Sequence, residues 1–262
     1  PIPSESESTG SEQFDEFMKD IPWPSLFTEY TTMVDSEYCN AAASLKNCYL
    51  CFKIDNAEDS GYLNTIQSVK QSYDSAFTNF SELCYETVTG NKCYQVFYSQ
   101  DCDDCHNIYF SLDLVGCSDC FGCTGLRNKQ YHIWNEPYSK EEYAAKVKEF
   151  DLGSWRAVQD IKKKAYKLAL QVPRKAFHGR NNLNSSGDYL WNTKNARDCF
   201  MVMNAENIRY CELQKSGPLA ECYDYTMFST KAEHIYESTW TGINVQNIKF
   251  GMWDYKCHDL EY

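Results

Sequence analysis

The sequence predicts a mainly β chain: a parallel, β-helix-like β-solenoid with about two 12-residue rungs per coil, in two blocks around a helical insertion. Three observations predict it. Cys93, Cys105 and Cys117 stand twelve apart, and so do Cys48, Ser60, Ser72 and Cys84 upstream. The beat resumes later, with Cys199 and Cys211 twelve apart, Cys211 and Cys222 eleven, and Cys222 and His234 twelve. Each beat opens an aromatic or β-branched run, such as CYETV at 84, CYQVFY at 93 and CHNIYF at 105, and closes on Asn, Asp, Ser or Gly. The runs suit strands, and the closing residues suit corners that need left-handed backbone or local side-chain hydrogen bonds.

The coil size follows from the rings. Twelve extended residues enclose a perimeter of about 40 Å, too tight for Tyr or Phe inside. With 20 Tyr and 14 Phe to place, two beats per coil are expected, giving a flattened tube that packs rings between two sheets. Alternation along the strands leaves two inward faces open. Phe200 and Val202 argue for the positions after each anchor, whereas Cys199, Met201 and Met203 argue for the anchor itself.

Residues 1–35 are expected to form a flexible Ser/Glu-rich start and a short capping helix, with Phe14, Phe17, Met18 and Ile21 at helical spacing before Pro22 and Pro24. Residues 36–138 form the first block, closed by a strand in GLRNKQYHIWN (125–135), where the beat breaks. Residues 139–182 read as a helical pair. Ser139 and Glu142 make a capping box, Tyr143, Val147 and Phe150 share a face, and Gly153 is placed for a left-handed cap. The second helix carries Trp155, Val158, Ile161, Ala165, Leu168 and Val172 on one stripe, with Trp155 expected to be buried and Lys162, Lys163 and Lys164 facing solvent. Residues 183–262 hold the second block.

Composition narrows the function. The net charge of −12, from 37 acids and 25 bases, argues against nucleic acid, whose phosphates need clustered Lys and Arg. No window of 18 uninterrupted apolar residues predicts a membrane span. PIPSESESTGSEQ has neither a basic nor an apolar region of the signal-peptide kind, and nothing in the sequence assigns a compartment.

Fourteen cysteines admit three readings: packed thiols, disulfides or metal ligands. The beat favours the first, because it stacks thiols at equivalent points about 4.8 Å apart. Zinc is the cofactor that the alternatives point to, through Cys102, Cys105, Cys117 and Cys120, which form two CxxC pairs. Against it, residues i and i+3 of a regular strand point to opposite faces. Cys123 extends the second pair towards an iron–sulfur run, but Arg127 stands where a fourth cysteine would. Cys105–His106 and Cys257–His258 are adjacent pairs that a strand would point apart, so neither forms a nucleophile–base dyad. No phosphate-cradling glycine loop, nucleophile elbow or HExxH motif occurs.

The stretches CFGCTGLRNKQYHIWNEPYSKEEYAAKVKEF and SLKNCYLCF, with the resumed rungs near 199, resemble a family of cysteine-rich repeat proteins of uncultured candidate-phyla-radiation bacteria and viral metagenomes. The likeness covers roughly residues 36–262. Members carry zinc-ribbon cysteine pairs ahead of the repeats and often a cysteine where His132 stands. This chain lacks both, and the resemblance implies neither a reaction nor a catalytic residue. The expected function is a non-enzymatic repeat scaffold or binding protein within an assembly such as a virion, meeting a protein partner or another copy through its ends. The alternatives are a metal-binding or thiol-redox module built on the cysteines of 102–123, and a carbohydrate-active enzyme. The latter would need paired carboxylates, for which Asp101, Asp103, Asp104 and Asp119 are the dense acidic group.

Overall fold

Every third residue from Cys39 to Cys123 is buried. The residue before each, from Tyr38 to Gly122, has a left-handed φ between 46° and 62°. The chain therefore advances in three-residue steps, each ending in a bend that turns the next side chain inward. A left-handed φ costs an L-residue about 1–2 kcal/mol, and Asn, Asp and Gly bear it best. Asp59, Asp101, Asp104, Asn107, Gly116, Asp119 and Gly122 occupy such bends. Of the corner residues anticipated from the sequence, Asp59, Asp101 and Asp104 sit at bends and Gly90 and Asn91 do not, because the bends recur every third residue.

A computed structural model describes residues 16–17, 19–22, 26, 28–174, 176–210, 212–214, 233–237, 245–251 and 257–261. The expected capping helix, which rests on Phe14 and Met18, lies largely outside them, as does the anticipated rung at 222, whereas of the rung at 211 only Cys211 does. The chain divides into two compact units, residues 22–174 and residues 1–21 with 175–262.

In the first unit, β1 (Asn40–Lys70), β2 (Ala76–Asn91), β3 (Tyr94–Asp103), β4 (His106–Tyr109), β5 (Leu112–Val115), β6 (Ser118–Phe121), β7 (Gln130–Ile133) and β8 (Glu136–Pro137) make one sheet. Its order is β1-β2-β3-β4-β6-β7-β8, with β5 also on β3. Parallel neighbours are displaced by twelve residues: Asn64 pairs with Ala76, Cys84 with Val96, Ile108 with Cys120 and Cys120 with His132. The sheet closes on an antiparallel pair, β7 with β8. The turn between them, Trp134–Asn135, has two left-handed residues, the pattern a two-residue hairpin favours.

The predicted solenoid of two-rung coils is thus overturned. The chain returns beside itself after one beat of twelve residues, four three-residue steps, so no two-beat tube with two facing sheets forms among the described residues. What stands, among the described residues, is a mainly β protein with mixed parallel and antiparallel pairing and two named α-helices. A perimeter of about 40 Å does exclude rings, and the chain meets that limit by turning its rings outward and filling the interior with Cys, Ser, Thr, Ala and aliphatics. Both alternating inward faces are corrected as well, since the inward period is three.

Two helices follow, α1 (Lys140–Val147) and α2 (Trp155–Ala169). The Ser139–Glu142 capping box forms as expected, and Ser154 caps α2 by accepting the Ala157 N–H at 3.4 Å. The pair packs on the rings at the end of the sheet: Phe150 stacks on Phe121 at 4.2 Å, and Val158 and Ile161 join Phe110, Phe121, Ile133 and Tyr143 in one cluster. Three expectations change here. Trp155 is 72% exposed. Gly153 is not left-handed, and its N–H is held by Asp151 Oδ1. The lysines do not simply face solvent, because Lys162 pairs with Glu86 and lies over the Tyr98 ring, and Lys164 lies over Trp134.

In the other unit, β9 (Gly179–Arg180), β10 (Gly187–Lys194), β11 (Cys199–Glu206) and β12 (Glu212–Gln214) form a parallel sheet. Strands β10 and β11 pair at twelve residues, and β9 and β10 at eleven. Asparagine amides run along it, Asn181 to Asn192 to Asn204 and Asn184 to Asn195 to Asn207.

Candidate functional site: interior thiols and the outer aromatic face

Three-residue steps explain where the cysteines go. Cys102 and Cys105 are one step apart, as are Cys117, Cys120 and Cys123, so all five point inward and are at most 1% exposed. The CxxC spacing that resembles a zinc motif is the repeat of the bend. A regular strand would have separated these side chains, but a left-handed residue at every third position puts them on one face.

Each of the ten thiols from Cys39 to Cys123 serves the backbone. Cys105 Sγ–H faces the carbonyls of Asp103 at 3.2 Å and Leu114 at 3.5 Å. Cys117 does the same with Val115 and Leu126, Cys120 with Ser118 and Lys129, and Cys93 with Asn91 and Cys102. The rule is the carbonyl two residues back and the one nine ahead. Serines use the other half of their chemistry. Ser99 Oγ–H donates to Phe97 O and its oxygen accepts the Ser111 N–H, and Ser111 repeats this with Tyr109 O and Cys123 N–H. Buried backbone groups need partners, and small side chains with a donor supply them in a space closed to larger ones.

The four zinc candidates all point inward, and each has its Sγ at a backbone carbonyl. Cys102 faces Gln100 O, and the other three face the carbonyls just named. Among the described residues, no group of three or more His, Cys, Asp or Glu side chains is arranged to hold a metal. A tetrahedral zinc site needs thiolates, and of the four candidates Cys102, Cys117 and Cys120 are held above the ordinary thiol range whereas Cys105 is lowered. Burial pushes Cys84 up to about 11 and Cys93 up to about 12, and burial likewise raises Cys117. The hydrogen bond shared by Cys102 and Cys105 raises the first and lowers the second, and Cys120 and Cys123 divide in the same way. All twelve described cysteines are buried.

The remaining sequence candidates are separated as well. Cys105 is buried while His106 is exposed, and Cys257 is buried while His258 is exposed, as the adjacent-residue reasoning expects. Asp103 accepts from Asn91 Nδ2 at 2.8 Å and Asp119 from Asn107 Nδ2 at 2.6 Å, each ending an amide pair between neighbouring turns. By register, Asp101, Asp103 with Asp104, and Asp119 lie on three different sides of the turn, so they present no facing carboxylates.

Sequence reasoning missed the outer face. Rings that could not enter the interior form a strip outside it. Tyr38 meets Tyr49 edge-on at 5.5 Å, and Tyr49 meets Tyr62 at 5.7 Å. Farther along, Phe97 stacks on Tyr109 at 5.1 Å and Tyr98 on Phe110 at 4.7 Å. The helices cover the far part, where Phe110 and Phe121 are buried, while Tyr38, Tyr49, Tyr62 and Tyr73 are exposed. The signal lay in the numbering: from Tyr38 to Trp134 every aromatic falls outside the inward class to which all ten cysteines from Cys39 to Cys123 belong.

Neither the scan of family models nor the search of curated proteins gave a match. Solved structures include a "putative acetyltransferase" from Desulfovibrio desulfuricans G20, 8% identical, matched over 78% of this chain. The chain spans 65% of that structure's length, with a TM-score of 0.20. A likeness of that size carries no argument about fold or activity. Among the described residues, no helix is long and apolar enough to cross a membrane.

Proposed function

We propose that this chain is a repeat scaffold that joins an assembly by self-association through its exposed tyrosine strip, and that it has no reaction of its own. The observation that carries this reading is the uneven covering of one aromatic face. Helices α1 and α2 seal the rings around Phe121, whereas Tyr38, Tyr49, Tyr62 and Tyr73 remain open to solvent. Contiguous exposed rings are the usual mark of a protein–protein contact, and Tyr is favoured there because it brings a large area at little rotamer cost. The interior thiols support the reading from the other side, since their donors are directed at the backbone.

Size-exclusion chromatography with light scattering tests it. The mass should rise above 30.4 kDa with concentration, and Tyr49→Ser combined with Tyr62→Ser should return it to the monomer with an unchanged circular-dichroism spectrum. A monomer at every concentration would overturn the proposal.

A further inference from the structure

Independently of self-association, we infer that the cleft between α2 and the sheet binds a planar aromatic carboxylate. The cleft, of about 400 Å³, lies within the first unit and falls in the lower range of small-molecule sites. Its origin is visible in the sequence. Ala165 and Ala169, one helical turn apart, face it from α2, where larger residues would close it against the sheet. On the sheet side Val88, Tyr98, Phe110 and Leu112 line it among Ser99, Gln100 and Ser111, with Phe110 stacked on Tyr98. That side suits a flat ring.

Two polar groups give the ligand its sign. Arg174 lines the cleft and has no ion-pair partner among the described residues. The other cation, Lys162, is neutralised by Glu86 and held 4.4 Å above the Tyr98 ring. Arg174 is therefore the group left to meet an anion, and a guanidinium can hold a carboxylate through two parallel hydrogen bonds. The second group is Thr124. It is 4% exposed, its N–H and C=O are both held by the Asn135 amide, and its hydroxyl, on the lining of the cleft, has no partner among the described residues. A hydroxyl that opens onto the cleft has a hydrogen bond to give, and a ligand carboxylate would accept it.

Isothermal titration calorimetry with 2-naphthoate tests the site, with 2-naphthamide as its uncharged counterpart. One 2-naphthoate per chain should bind, and the amide should bind about tenfold more weakly. Arg174→Gln, at an exposed position, should erase that difference by weakening the carboxylate about tenfold. Ala165→Leu should abolish binding of both while leaving the melting transition in place. If Ala165→Leu unfolds the chain, Arg174→Gln decides alone. No binding, equal affinity for acid and amide in the native chain, or a carboxylate affinity unchanged by Arg174→Gln would overturn the inference.

Discussion

Deleting the single exposed residue Phe52 should unfold the first unit, while deleting all twelve residues from 51 to 62 should leave a cooperatively melting protein. The reason is phase. Ile54, Ala57, Leu63, Ile66 and Val69 are inward because each lies a multiple of three beyond Cys39 and follows a left-handed residue. Removing one residue shifts every later position. Either the inward class is lost to bends and outer positions, or one step must distort to absorb the change. Burying an aliphatic side chain is worth about 1.5–3 kcal/mol, and domains have only about 5–15 kcal/mol in total, so a slip that exposes several such residues exceeds the margin. Removing residues 51–62 joins Leu50 to Leu63 with the phase intact. Leu50 and Tyr62 are both left-handed, with φ of 52° and 57°, so the new junction repeats an old one. The cost is one turn of packing and the bridges of Glu58 with Lys46 and Lys70, which lie at the surface where such pairs contribute little. Circular dichroism and thermal melting distinguish the two deletions, and equal behaviour would count against a three-residue step.

Phe121→Ala should be the most damaging single truncation in the first unit, costing about 3–5 kcal/mol. Phe121 is fully buried where sheet and helices meet. It stacks on Phe150 at 4.2 Å and meets Trp134 edge-on at 5.6 Å, with Phe110 at 5.4 Å and Tyr109 at 6.1 Å. Losing the ring opens a cavity among other rings, which are stiff and collapse poorly into it, so the loss includes a cavity contribution beyond transfer. Tyr62→Ala is the internal comparison. Tyr62 sits in the same strip but is 54% exposed, and its loss should cost about 0.5 kcal/mol or less. Urea unfolding midpoints measure both. Similar losses at the two positions would mean that the helices do not cover the strip.

The twelve-residue beat was legible because Cys93, Cys105 and Cys117 repeat a side-chain requirement at equivalent points. The helical pair was legible through Ser139 and Glu142, whose capping box is local chemistry. The step inside the beat was harder to see. Period two is what ordinary strands impose, and a left-handed bend at bulky residues such as Tyr62, Phe77 and Phe110 contradicts local propensity. Here tertiary closure overrides that propensity, because the bend at every third position is what closes the twelve-residue turn in this chain. The cysteines carried the information, since Cys102/Cys105 and Cys117/Cys120/Cys123 share one residue class. Metal chemistry offers the same spacing, so sequence alone could not separate thiols that face carbonyls from thiols that face zinc. Trp155 and Lys162 were illegible for a different reason. Where α2 sits depends on rings contributed by several turns of chain, and none of those contacts is encoded within the helix.

Zero-length carbodiimide coupling of the native chain, read by peptide mass spectrometry, tests the twelve-residue pairing most directly. Glu58 stands 2.6 Å from Lys46 and 3.1 Å from Lys70, each twelve residues away. In the other unit, Lys194 meets Glu206 at 3.4 Å and Lys249 meets Glu261 at 2.9 Å. Amide links should join these four pairs. Coupling of Glu58 to other lysines, in place of Lys46 and Lys70, would contradict the account.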